Sequence, residues 1–118
     1  MDASLNLIRI RYLGDVTVPD AALCLEAVKS LLPKMRPEFT ILTDLSGLVS
    51  MDIGCGIDLA KQMDAAQAHG VGAAVRIIPD THKDIGFKIL AAVHYGPSVR
   101  VVTCETIEEA DCILRQSE

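Results

Sequence analysis

Aromatic side chains are scarce in this 118-residue chain: Tyr12, Phe39, Phe87 and Tyr95 are the whole set, and tryptophan is absent. So few rings give no stacking platform of the kind that holds single-stranded nucleic acid. Clustered positive charge is missing as well. Eleven basic residues are scattered among 16 acidic ones, for a formal charge of −5, and such a chain repels a phosphate backbone, so nucleic acid is not an expected partner. Long apolar runs are also lacking. The uncharged stretch 65–75 contains Gln67, His69 and two glycines, well short of the roughly 18 apolar residues a membrane span needs. Asp2 stands where a signal peptide would be basic, and Arg9 and Arg11 interrupt any apolar segment after it, so a cytoplasmic location is expected. Cys24, Cys55, Cys104 and Cys112 form no C-x-x-C pair, and no histidine completes a zinc-site spacing; free thiols are expected, with no metal and no cofactor.

What is abundant is aliphatic. Half of the chain is apolar, and Leu, Ile and Val supply 34 residues, enough for the core of one small domain. The alternation from Leu5 to Tyr12 predicts a first strand, and 16–18 a short extension of it. Pro19-Asp20 opens a helix with Asp20 as its capping carboxylate, and Ala21, Leu25, Val28 and Leu32 make its buried face until Pro33 and Pro37 end it. Phe39 to Leu45 reads as a central strand, Leu48 to Gly56 as a loop, and Ile57, Ala60 and either Met63 or Asp64 as the stripe of a helix capped by Gly70. The apolar run 72–78 is a strand buried on both faces, and 79–95 a third helix. Ser98 to Thr103 is a last strand, and Thr106-Ile107-Glu108-Glu109 a capping box before a final helix. Strand and helix thus alternate four times, which predicts an α/β domain: a single-layer, mainly parallel sheet of four to five strands with helices packed on it.

In such sheets ligands and partners meet the loops at the carboxyl ends of the strands. Here that is 44–56, which gathers Asp44, Ser46, Ser50, Met51, Asp52, Ile53, Gly54, Cys55, Gly56 and, just beyond, Ile57. Backbone N–H groups at a helix start favour an anion. No Gly-Lys-Ser/Thr follows, however, and Gly54 and Gly56 lack the third glycine of G-x-G-x-x-G. Asp44 before Leu45-Ser46-Gly47 has the form of an Asx turn. Asp52 or Gly54 is suited to capping the next helix, and Cys55 is either a thiol activated by the helix dipole or a plain buried one. His69, His82 and His94 fall at helix ends or starts, where an imidazole needs no ligand. Nothing here assembles a nucleophile, a base and its orienter, so catalysis is not expected.

The stretch Asp44-Leu45-Ser46-Gly47-Leu48-Val49-Ser50-Met51-Asp52, with the glycine-bearing helix start and 59–70 after it, resembles the STAS domains of sulfate transporters and anti-sigma factor antagonists. Gly14 to Thr17, Tyr95-Gly96-Pro97 and the Glu109-Ala110 pair of the last helix extend the resemblance over most of the chain. It implies a non-enzymatic regulatory domain that works by binding a partner protein, such as a kinase-like anti-sigma factor, through the loop and helix start; the aliphatic composition is in addition compatible with a homodimer. In the sigma-regulating members a serine of an Asp-Ser-Ser/Thr-Gly motif is phosphorylated at that helix start. Here Ile53 and Gly54 follow Asp52, so the usual serine switch is expected to be absent, with Ser50 as the substitute phosphorylation candidate. The alternative is a domain that binds a small ligand (an anion, a nucleotide or a lipid) in a crevice between this loop and the helix expected at 81–95.

Overall fold

A computed structural model describes residues 6–52, 54–78 and 99–116. Four strands form one parallel sheet: β1 (Leu7–Arg11), β3 (Thr40–Asp44), β5 (Ala73–Ile77) and β6 (Arg100–Cys104), side by side in that order. Leu7, Thr40, Ala73 and Arg100 stand level across it. Because side chains alternate along a strand, this register assigns every position to a face. Ile8, Ile10, Ile41 and Ala74 share one face, and Leu7, Leu42, Val75, Ile77 and Cys104 the other. Ile8, Ile10 and Ile41 of the first set belong to the main core with Ala21, Val28, Leu59 and Ala66; the second forms a smaller core with Ala110, Ile113 and Leu114. Arg76 is buried in the first face and donates from Nη2 to Thr103 Oγ1 at 2.8 Å.

Helix α1 (Val18–Leu31) buries Ala21, Leu25 and Val28, as the spacing predicts. Its cap is Thr17 rather than Asp20. The Thr17 hydroxyl accepts from the Asp20 N–H at 3.4 Å, and the Asp20 carboxylate accepts in return from the Thr17 N–H at 3.0 Å. A hydroxyl at the N-cap reaches the third helical N–H, and the acid at that third position completes a reciprocal box. These bonds hold the Asp20 carboxyl below its usual range, the backbone bond from Thr17 contributing most. Pro33 lies in the 3₁₀ turn Leu32–Lys34 that closes the helix.

Helix α2 (Cys55–Ala68) starts two residues earlier than its apolar stripe suggests. Its buried face is Cys55, Leu59, Gln62, Met63 and Ala66, while Ile57 is 66% exposed; a cysteine and a glutamine complete a stripe that a purely aliphatic reading shifts by half a turn. At its end Gly70 takes φ +87°, the Val71 N–H returns to Ala66 O at 3.1 Å and the Gly70 N–H to Gln67 O at 3.1 Å, a Schellman closure that only glycine enters without strain. Helix α3 (Ile107–Gln116) packs on β5 and β6, its Glu109 N–H donating to the Thr106 hydroxyl at 3.2 Å. The expected third helix, 79–95, lies outside the described residues.

Candidate functional site

The site grows out of a shared break in β1 and β3. Asp44 ends β3, and its carboxylate Oδ1 accepts from the Ser46 N–H at 2.9 Å and the Ser46 hydroxyl at 2.6 Å, the Asx turn expected from the sequence. At the same level Gly14, with φ +64°, turns the chain after β1, and its N–H donates to Gly47 O at 2.9 Å. Both chains then extend again as a separate parallel pair, β2 (Gly14–Val16) and β4 (Leu48–Met51), with a register shift between Gly14 and Asp15. The sequence reading of 48–56 as loop, and of the extension as 16–18, is corrected accordingly. Four residues with two exposed positions, Val49 and Ser50, carry little strand signal, and only the pairing with β2 defines them as one.

Each short strand feeds a helix, so the starts of α1 and α2 come side by side. The Asp52 N–H donates to Val16 O at 3.1 Å, the Cys55 N–H to Asp52 O at 3.0 Å, and the Cys55 thiol lies 3.9 Å from Val16 O. At Gly54 a Cβ would sit 2.8 Å from Val18 Cγ2, and at Gly47 one would sit 2.5 Å from Leu13 Cδ2. Both glycines therefore mark close approaches: one lets Val18 lie against the α2 start, the other lets Leu13 cover the turn.

The expected site residues divide on inspection. Ser46, Ser50 and Asp52 are exposed, Met51 and Gly56 half-buried, and Ile57 exposed one turn beyond Gly54. Ile53 lies outside the described residues. Asp52 does not cap α2, whose N-cap is Gly54 with no side-chain bond. Ser50 donates its hydroxyl to Asp15 Oδ1 across β2 and β4 at 2.7 Å. Cys55 is fully buried, and burial with Asp52 behind it pushes its thiol up, not down; of the two readings of this cysteine the inert one holds. Asp44 belongs to the opposite face of the sheet, where its Oδ2 lies 3.6 Å from Arg11 Nε. It shapes the turn without fronting the surface.

Several contributors carry no motif. Leu13, Val18 and Val49 are 62%, 41% and 69% exposed, and with Ile57 they leave apolar area at both ends of the β2–β4 pair. Asp15, Asp20 and Asp52 are exposed around them. The faint sequence signal is an aliphatic residue beside a turn glycine, Leu13-Gly14 and Val49 after Gly47. With Asp20 and Asp58 in the first turns of α1 and α2, the chain's own carboxylates answer the helix dipoles. The anion expected at this helix start therefore meets an acidic rim. Among the described residues no group of His, Cys, Asp and Glu is arranged to hold a metal, and no helix is long and apolar enough to cross a membrane.

No family model and no curated protein matches the chain. Its fold, however, is found among solved structures. The anti-sigma factor antagonist SpoIIAA, in its unphosphorylated form, superposes with a TM-score of 0.67 at 17% identity, over 93% of this chain and 90% of that one. The parallel α/β architecture with helices packed on it is thus the STAS-like fold that the sequence resemblance implies.

Proposed function

We propose that the chain is a non-enzymatic regulatory domain of the cytoplasm that binds a partner protein through the surface made by β2, β4 and the start of α2. The carrying observation is the exposed aliphatic set Leu13, Val18, Val49 and Ile57, ringed by Asp15, Asp20 and Asp52. Apolar contact area inside a charged rim is what a protein–protein interface uses, the centre supplying energy and the rim register. The fold shared with an anti-sigma factor antagonist makes a kinase-like anti-sigma factor the partner class to test, and the acidic rim calls for a basic complement on it.

The surface works without the usual serine switch. Gly54 stands at the helix start where a phosphorylatable side chain would be sought, and a Cβ there would press on Val18 Cγ2 at 2.8 Å. Ser50 is the hydroxyl left for modification. A phosphate there would add about −1.5 to −2 charges next to Asp15 and replace the hydrogen bond between β2 and β4 by repulsion.

Co-expression with candidate anti-sigma factor kinases, followed by affinity capture and phosphosite mapping, tests this reading. Ile57→Asp and Asp52→Lys should each abolish capture of a partner that the unmodified chain retains, with thermal melts unchanged. Retention of every partner by both variants would remove this surface from consideration.

A further inference from the structure

The structure carries a second feature, on the face of the sheet opposite the main core and independent of the proposed partner surface. Among the described residues helix α3 packs on that face over β5 and β6, and the start of the helix faces the end of the β1–β3 pair. There a small cleft of about 90 Å³ is lined by Arg9, Ile10, Arg11, Leu42, Asp44 and Ile107. The alternation of β1 puts Arg9 and Arg11 on the same face, two residues apart. Leu42, 2% exposed, forms an apolar floor and Ile107, 40% exposed, a wall. One carboxylate is already resident: Asp44 Oδ2 lies 3.6 Å from Arg11 Nε while its Oδ1 is held by Ser46. Among the described residues Arg9 has no ion pair.

From this the geometry points to a binding site for a carboxylate on a short aliphatic stem, its head taken by Arg9 and the free edge of Arg11, its stem laid on Leu42 and Ile107. Guanidinium recognises carboxylate through paired N–H donors, and a cleft with one resident carboxylate and two arginines has room for a second. Size sets the class. A volume of about 90 Å³ is far below the roughly 300–1,000 Å³ of cofactor and drug-sized sites, so the cleft cannot enclose a nucleotide or a lipid tail. Glu105, Glu108 and Glu109 near the α3 start are exposed, where solvent screening limits their opposition.

The same chemistry is offered by a free short-chain acid and by a glutamate of a peptide, and the test separates them. Isotope-labelled full chain is titrated at low ionic strength with sodium butyrate in one arm and with N-acetyl-glutamyl amide in the other, following the backbone amides of Leu42 and Ile107. Saturable shifts with a millimolar Kd are expected in at least one arm, and the stronger arm names the source. Arg9→Gln should weaken binding at least about five-fold, and Asp44→Asn, which releases Arg11, should strengthen it about as much. Arg9 is exposed, so its variant folds and decides the matter even if Asp44→Asn does not. Absence of saturable shifts at these amides in both arms, or shifts indifferent to Arg9→Gln, overturns the assignment.

Discussion

Gly54 concentrates the logic of the site in one residue. Its backbone is ordinary, with φ −59°, so a side chain there is opposed by crowding and not by conformation. A Cβ would press on Val18 Cγ2, and Val18, 41% exposed, can yield only by turning out of its place beside the α2 start. Gly54→Ser should therefore fold with a modest loss, about 1 kcal/mol in urea-induced unfolding, and Gly54→Val should lose about 2 kcal/mol or more. Pairing each with Val18→Ala tests the cause. The double variant Gly54→Ser/Val18→Ala should show a loss smaller than the sum of the single ones. Strict additivity would mean that the approach of Val18 is not what excludes a side chain at 54. Ser50 makes a second prediction at this scale. Ser50→Ala removes the bond to Asp15 at an exposed position, so it should cost no more than about 0.5 kcal/mol. Ser50→Glu sets a charge against Asp15 and should cost more than the alanine, with the difference shrinking in 0.5 M salt. Equal losses for the two would remove electrostatics from the account.

The elements differ in how far their own residues announce them. The α1 stripe Ala21, Leu25, Val28 and the continuous apolar run of β5 are legible because burial there follows helical and two-sided strand periods, set locally. The β2–β4 pair is not legible, because its strands exist only through each other: three and four residues long, they are joined across 30 and more positions of sequence by the Asp15–Ser50 bond and the Gly14–Gly47 contact. The same holds for the site. The loop 44–56 is visible in the sequence as a concentration of Asp, Ser and Gly. Part of the exposed apolar area beside it comes from Leu13 and Val18, which no linear motif ties to Gly47 and Gly54. At this scale the N-cap of α1 offers a clean measurement. Thr17→Ala removes the hydroxyl that accepts from the Asp20 N–H, and a cap of this kind is worth about 1 kcal/mol, which lowers Tm by about 4 °C in a domain of this size. Thr17→Ser keeps the oxygen and should restore most of it. A full loss in the serine variant would point to the methyl group and not to the cap.

For the molecule as a whole, burial of titratable groups writes a pH limit into the fold. Tyr12 lies in the main core, 5% exposed, with its hydroxyl 3.5 Å from Cys24 Sγ, and burial, with the Cys24 sulfur adding to it, pushes that hydroxyl far up. Burial does the same to the thiols of Cys55 and Cys104, aided by Asp52 at the first and Glu109 at the second. All three groups are neutral in the folded chain at pH 7, and in the unfolded chain they titrate near their ordinary values, about 8.5 for the thiols and about 10 for tyrosine. Above about pH 8.5 the unfolded state therefore holds fewer protons than the folded one, and the unfolding free energy declines with pH; below that value the three groups leave it flat. Urea unfolding at pH 7, 8, 9 and 10 should show constant stability over the first interval and a progressive fall over the last two, steepest where tyrosine begins to ionise. Tyr12→Phe and Cys55→Ala each lower stability at pH 7 through lost packing or a lost polar contact, yet each should flatten the alkaline slope, because the group that prefers to stay neutral has gone. A slope unchanged in both variants would place the alkaline limit elsewhere in the chain, and an unfolding free energy that rises between pH 9 and 10 would contradict the burial of all three groups at once.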